Sequence, residues 1–170
     1  AARLAFQSDR GGDTAVWAQR IDGAGSAQRF TTPAAGEEHI PEAWSPDGRY
    51  LVCRSNLSGT NLPDAAAVFC IREMQTGTIR VLEPKLRSLS RWAPRWAPDG
   101  ISLLATGTDL QERRGLFRIA VNTGDATLIE HSGPENGGQI VAPVWSPDGQ
   151  SVYFVRDAVG KTGSKLPRHI

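Results

Sequence analysis

An all-β fold built from repeated four-stranded antiparallel units is predicted by three features of the sequence. The first is a five-residue phrase written three times: WSPDG at Trp44 to Gly48, WAPDG at Trp96 to Gly100 and WSPDG at Trp145 to Gly149. The second is the run after each copy, YLVCRS at Tyr50 to Ser55, ISLLATG at Ile101 to Gly107 and SVYFVRD at Ser151 to Asp157. These runs are rich in β-branched and aromatic residues and bounded by Gly, Pro, Asp and Asn, the sequence signal of a strand. The third is the period, 52 residues from Trp44 to Trp96 and 49 from Trp96 to Trp145, which belongs to stacked repeats. Runs such as Leu103-Leu104-Ala105 and Val152-Tyr153-Phe154-Val155 are apolar on both faces, so each sheet must be covered on both sides. Sheets stacked face to face around an axis supply that cover, and the prediction is a β-propeller of about three and a half blades.

Lettering the strands of a blade a to d, the first unit (residues 3–32) lacks strand a. RLAFQSD, from Arg3 to Asp9, is b; TAVWAQRI, from Thr14 to Ile21, is c; the DGAG turn at Asp22 to Gly25 leads into AQRFTT, which is d. The second unit (38–84) is complete: a ends at Trp44, b is YLVCRS, c is AAVFCIREM from Ala66 to Met74, and d is TIRVLEP from Thr78 to Pro84. The third (89–131) repeats the order, with GLFRIAV from Gly115 to Val121 as c and ATLIEH from Ala126 to His131 as d. QTG at Gln75 to Gly77 and NTGD at Asn122 to Asp125 are the hairpin turns between c and d. The last unit (139–157) has a and b only; residues 1–158 form the propeller portion, and 159–170, ending KTGSKLPRHI, read as a flexible tail.

The repeated phrase has a mechanical explanation. Pro46, Pro98 and Pro147 preset φ for the first corner of a type I turn, and Asp47, Asp99 and Asp148 suit the second. Gly48, Gly100 and Gly149 take the left-handed position that follows. Trp44, Trp96 and Trp145 end strand a, where a large flat side chain covers the hairpin beside it. In Pro41-Glu42-Ala43-Trp44 the proline stands three residues before the tryptophan instead of two, so a bulge or shifted register is expected in that strand.

The pattern P-x-W-[SA]-P-D-G, as in Pro94 to Gly100 and Pro143 to Gly149, resembles the TolB-like (WD-like) β-propeller repeat family, as do LAFQSDRGG at Leu4 to Gly12 and the turn at Asp22-Gly23. The resemblance runs from Arg3 to Asp157. It implies a bacterial protein of periplasm or cytoplasm, and a complete ring of six blades. Similar repeats form the propellers of prolyl oligopeptidase-type peptidases and the sensor portions of some bacterial kinases. By that comparison the chain is a partial ring, or half of a ring completed as a homodimer in which Gln139 to Trp145 of one copy supply the missing first strand of the other. Strand b at Ser151 to Asp157 fits that exchange poorly, because Arg3 to Asp9 already fill its place.

Composition excludes several classes. A net charge of +1 with both signs interspersed gives no field to attract nucleic acid. Apolar runs of four to seven residues are far short of the roughly 20 that cross a bilayer, so a soluble chain without membrane insertion is expected. The start, Ala1-Ala2-Arg3, has neither an initiator methionine nor an apolar signal segment, which predicts an end processed or cut from a longer protein. Cys53 and Cys70 lie in adjacent predicted strands and are read first as small buried thiols, with a cross-strand disulfide as the alternative.

No G-x-S-x-G, H-E-x-x-H, glycine-rich phosphate loop or C-x-x-C occurs, so no catalytic residue, cofactor or metal is predicted. The d–a and b–c loops of a propeller share one face, the usual binding surface. They are expected to present Glu37, Glu38 and His39; Arg87, Arg91 and Trp92; His131 and Glu135; and Arg10, Glu112, Arg113 and Arg114. His39 with the two glutamates is read as a solvated loop, with a divalent metal site as the alternative. Arg113-Arg114 reads as a solvated loop tip. Trp92 stands outside the repeated phrase; burial under the neighbouring blade is its first reading, and an anchor for a partner, together with Arg91, its second. The function expected is a non-catalytic scaffold that binds a protein or peptide on this face. The alternative is the propeller part of a prolyl oligopeptidase-type serine peptidase, or a hydrolase whose site is assembled across a completed ring.

Overall fold

The computed structural model describes residues 2–57, 68–90 and 92–157, and among these, fourteen strands form four antiparallel sheets. Blade 1 holds β1 (Arg3–Ser8), β2 (Ala15–Arg20) and β3 (Gln28–Arg29). Blade 2 is β4 (Glu37–Trp44), β5 (Tyr50–Leu57), β6 (Val68–Glu73) and β7 (Ile79–Leu82), paired in chain order. In blade 3, strand a comes in two pieces, β8 (Leu86–Leu89) and β9 (Arg95–Trp96), both paired to β10 (Ser102–Asp109), and β11 (Arg114–Ala120) and β12 (Ala126–His131) follow. Blade 4 is β13 (Gln139–Trp145) and β14 (Val152–Asp157), entered through a 3-10 turn at Pro134–Asn136. The all-β, bladed fold predicted from the period is therefore the fold observed. Among the described residues no helix is long and apolar enough to cross a membrane.

The core lies between blades rather than within them. Leu51 and Cys53 of β5 face blade 1 and pack with Val16, Ala18 and Phe30, while Val52 faces blade 3 and packs with Leu103, Ala105 and Phe117. The same alternation in β10 sends Leu104 toward Ile140 and Trp145 of blade 4. This is why strand b is apolar on both faces. In β14 only Val152 and Phe154 have a blade to meet; Tyr153 and Val155, on the other face, are 62% and 49% exposed. β9 packs against both β4 and β13, so the first strands of the blades meet along the inner side.

The three phrases close the a–b hairpins as their chemistry requires. In each, the glycine N–H bonds the carbonyl three residues earlier (Gly48 to Ser45, Gly100 to Ala97, Gly149 to Ser146), and all three glycines sit at φ 70°, where a side chain is strained. Asp47 Oδ1 accepts from Ser45 Oγ at 2.6 Å and from the Arg49 N–H at 3.0 Å, and Asp148 repeats this with Ser146 and Gln150. The serine hydroxyl is the first cause that holds both carboxyls below the usual aspartate range. Ala97 has no hydroxyl to offer, and Asp99 takes the Arg118 guanidinium instead.

The tryptophans also tie blades together: Trp44 packs with Val16 and Phe30 of blade 1 as well as with Leu51 of its own hairpin, and Trp145 with Leu104 of blade 3 as well as with Val152. Trp96 Nε1 donates to the Ala43 carbonyl of blade 2 at 3.2 Å, and its ring stacks on Tyr50 of that blade with centroids 6.2 Å apart. Arginines do the same across each seam: Arg72 donates to Phe30 O at 2.6 Å, Arg80 to Val121 O at 2.8 Å and Arg156 to His131 O at 3.1 Å. A guanidinium with five donors satisfies carbonyls that no strand partner reaches.

The bulge expected at Pro41 is present, with Glu42 the extra residue between Pro41↔Cys53 and Ala43↔Val52. It is not peculiar to that blade. Ala142-Pro143 bulges in β13, with Ala142 at φ 50°, and blade 3 carries a larger interruption. There, five residues from Ser90 to Pro94 oppose only Ala105 and Thr106. Cys53 and Cys70 face each other directly across β5 and β6 and form a disulfide with Cα atoms 5.0 Å apart, which replaces the reading of two free buried thiols.

Candidate functional site

The interruption of strand a in blade 3 builds the most distinctive feature of the inner side. β8 and β9 are held by β10 along one edge, and Trp92 stands between them, outside the ladder. Pro94 has no N–H to give to a ladder and is fully buried, which fixes the return of the chain into β9. Trp92 is 49% exposed, so its burial under a neighbouring blade is not what the fold does.

Blade 2 holds this loop in place. Arg54 Nη1 donates to the Ser90 carbonyl at 3.0 Å and Nη2 to the Trp92 carbonyl at 3.3 Å. Its Nε lies 2.9 Å from Glu42 Oε1 with both side chains nearly buried, 14% and 9% exposed. The approach is off the N–H axis, so charge pairing rather than a straight hydrogen bond holds it. Burial pushes the Glu42 carboxyl above the usual range, against the pull of Arg54 and, more weakly, Arg95. The bulge that makes Glu42 an extra residue in β4 is thus what frees it to meet Arg54.

Of the other expected contact residues, Glu112, Arg113 and Glu135 lie in the b–c and d–a connections as expected, and several others do not. Glu37, Glu38 and His39 belong to β4, not to a loop, and His39 is only 7% exposed. Its backbone N–H bonds Thr14 O of blade 1 at 2.9 Å, its Nε2 is 4.0 Å from Glu37 Oε2, and its Nδ1 is buried without a partner. Among the described residues no group of three or more His, Cys, Asp or Glu side chains is gathered to hold a metal. Arg87 lies in β8, opposite no residue of β10, and pairs with Glu112 of the b–c loop. Arg113 is fastened to Asp109 by Nε at 2.7 Å, and Arg114 opens β11 as an exposed residue. His131 ends β12 and is exposed, and Glu135 sits in the 3-10 turn. Arg91 lies outside the described residues. Arg54, Glu42 and Arg95 were missed from sequence; the signal was a charged residue inside the apolar run YLVCRS.

Burial holds the His39 imidazole below its ordinary pKa, with Glu37 and Asp13 opposing. The unfolded chain therefore binds a proton at His39 more readily than the folded one, so stability falls as the pH drops below about 6.5 and levels off below the depressed folded value. Glu42, raised by burial, works in the opposite sense but is common to both proteins, so urea midpoints measured from pH 7 down to about 5 should shift toward lower stability in the native chain relative to His39→Gln. The carboxyls of Asp47 and Asp148 act only at lower pH. Equal slopes in the two proteins would show that His39 does not report its burial.

No protein-family model and no curated protein matches this sequence. Solved structures do. The class defined by the fold is a β-propeller with TolB-like blades. A putative TolB from Agrobacterium tumefaciens is similar with a TM-score of 0.67 at 20% identity, over 94% of this chain and 52% of that one. An oligogalacturonate lyase from Vibrio parahaemolyticus gives 0.62 at 17% identity, over 91% and 42%. Prolyl oligopeptidase B from Galerina marginata gives 0.58 at 13% identity, over 88% and 23%. The chain spans about half the length of that TolB structure. At these identities the likeness establishes the fold, and activity has to be argued from the site.

Proposed function

We propose that this chain is a non-catalytic binding scaffold, with Trp92 as the anchor for a protein or peptide segment. The observation that carries this reading is the cost of presenting Trp92: a large apolar side chain left half exposed on a loop that a nearly buried Arg54–Glu42 pair braces from the next blade. Tryptophan and arginine are enriched at interface centres, and in sequence Trp92 stands between Arg87 and Arg95, both exposed. A peptide library displayed on phage and selected on the immobilised chain tests it. Selected peptides should bind Trp92→Ala about 30-fold more weakly, the loss of a hot-spot side chain; peptides that bind both proteins alike would move the site elsewhere.

The exposed Tyr153 and Val155 face and the free edge of β1 support a second copy completing the ring. The particle mass by light scattering reads this directly, one chain mass rejecting it. The hydrolase alternative shares with prolyl oligopeptidase B a fold and nothing further. It requires peptide or ester hydrolysis by the purified chain that is lost on changing His39 or His131, and activity unaffected by those changes would count against it.

A further inference from the structure

On the opposite face, where the a–b and c–d turns meet, a cleft of about 650 Å³ opens between blades 2 and 3. That lies within the roughly 300–1,000 Å³ of small-ligand sites. Its walls are the four-stranded sheet of blade 2 and the sheet of β8 to β12 in blade 3, so its shape does not depend on what closes the ring. The ring of Tyr50 and the side chains of Val121 and Ile101 give it apolar surface, Ile101 being 65% exposed. Around them stand three guanidiniums, Arg49, Arg80 and Arg118.

The hydrogen-bond inventory of the cleft is unbalanced. Its carboxylates are engaged: Asp47 by Ser45 and the Arg49 N–H, Asp99 by the Ile101 N–H and Arg118, Asp125 by Lys85 at 2.5 Å and Thr123 at 2.7 Å. The guanidiniums, with five donors each, are not. Arg80 spends one donor on Val121 O, Arg118 spends two on Ser102 and Asp99, and the carboxylate paired with Arg49 is 3.9 Å away. What remains unspent is donors, beside apolar surface.

We propose that this cleft binds the free C-terminus of a peptide that ends in an aliphatic residue. Such a residue carries on one unit the carboxylate that guanidiniums pair with in two parallel bonds and the side chain that the apolar surface covers. Trp92 has no part in this site, so the proposal stands or falls apart from the one above.

Fluorescence anisotropy with a fluorescein-labelled heptapeptide ending Leu-Ile as the free acid, and with its C-terminal amide, tests it. The acid should bind at least about tenfold more tightly than the amide, and Arg80→Ala should weaken it about tenfold, the worth of a charged hydrogen bond. Because Arg80 also ties two blades, Arg49→Ala, whose side chain crosses no seam, is the second variant and should weaken binding in the same direction. Trp92→Ala should leave the affinity unchanged. Failure of the acid to bind, equal binding of acid and amide, an amidated peptide with an internal glutamate binding as tightly, or indifference to Arg49→Ala would each overturn the proposal.

Discussion

Arg54→Ala is expected to lower the unfolding free energy by about 3 kcal/mol and to free the Trp92 loop at the same time. Removing one member of a buried ion pair is more damaging than the pair is stabilising, because the partner is left charged and without water. Here the partner is Glu42, 9% exposed, whose carboxyl burial already pushes upward. Without Arg54 that carboxyl rises further, so the folded state takes up a proton that the unfolded state still lacks. The penalty is therefore greatest near neutral pH and shrinks as the pH falls, the sign required when the folded pKa lies above the unfolded one. The carbonyls of Ser90 and Trp92 lose their donors in the same change, and peptides selected at Trp92 should bind weakly. Glu42→Gln with Arg54→Met separates the two effects. That double variant removes the charges together and should recover much of the stability but none of the peptide binding. Equilibrium denaturation of the single and double variants reads the first, and titration of the peptides the second. An Arg54→Ala protein as stable as the native chain, with native peptide affinity, would show that the pair neither supports the fold nor positions Trp92.

How much of this was legible in the sequence follows the range of each interaction. Pro98-Asp99-Gly100 and its two relatives are local chemistry, so their turns could be read directly from three consecutive residues. The period and the two-faced strands gave the blades, because stacking is the only way to cover Leu103 and Leu104 together. Which groups Trp96 meets in the next blade could not be read, since Ala43 and Tyr50 lie a full blade away and no local rule points to them. His39 was misread for a similar reason of range: polar neighbours suggested a loop, while Thr14 of blade 1 supplies the backbone bond that keeps it in β4. The exposed Trp92 depended on a three-residue surplus in strand a, which appears only when β8 and β9 are set against β10. The cleft of Arg49, Arg80 and Arg118 was not legible at all, because those residues are scattered over two blades, one in the a–b turn, one in β7 and one in β11.

Replacing Cys53 and Cys70 together by alanine should cost about 3 kcal/mol in the unfolding free energy, the value for closing a loop of this size. The two residues are 17 apart in sequence and directly opposite in register, so the bond adds no pairing that β5 and β6 lack. Its effect is on the unfolded chain, where it holds together the ends of a hairpin whose β5 side continues straight into the Trp44 turn. A smaller loss comes from packing, since Cys53 is fully buried among Val16, Ala18 and Phe30 of blade 1 and alanine leaves space there. Blade 1 should therefore loosen first, and amide exchange in β2 should rise more than in β11. The native chain unfolded without reductant should show no titratable thiol, and two after reduction. Because such bonds persist in oxidising compartments and are rare in the cytosol, protein exported to a periplasm should have the higher denaturation midpoint, and protein made in a reducing cytosol should match the double-alanine variant apart from its packing loss. Two thiols in the unreduced, unfolded chain, or equal midpoints from the two compartments, would return Cys53 and Cys70 to the role of small buried side chains.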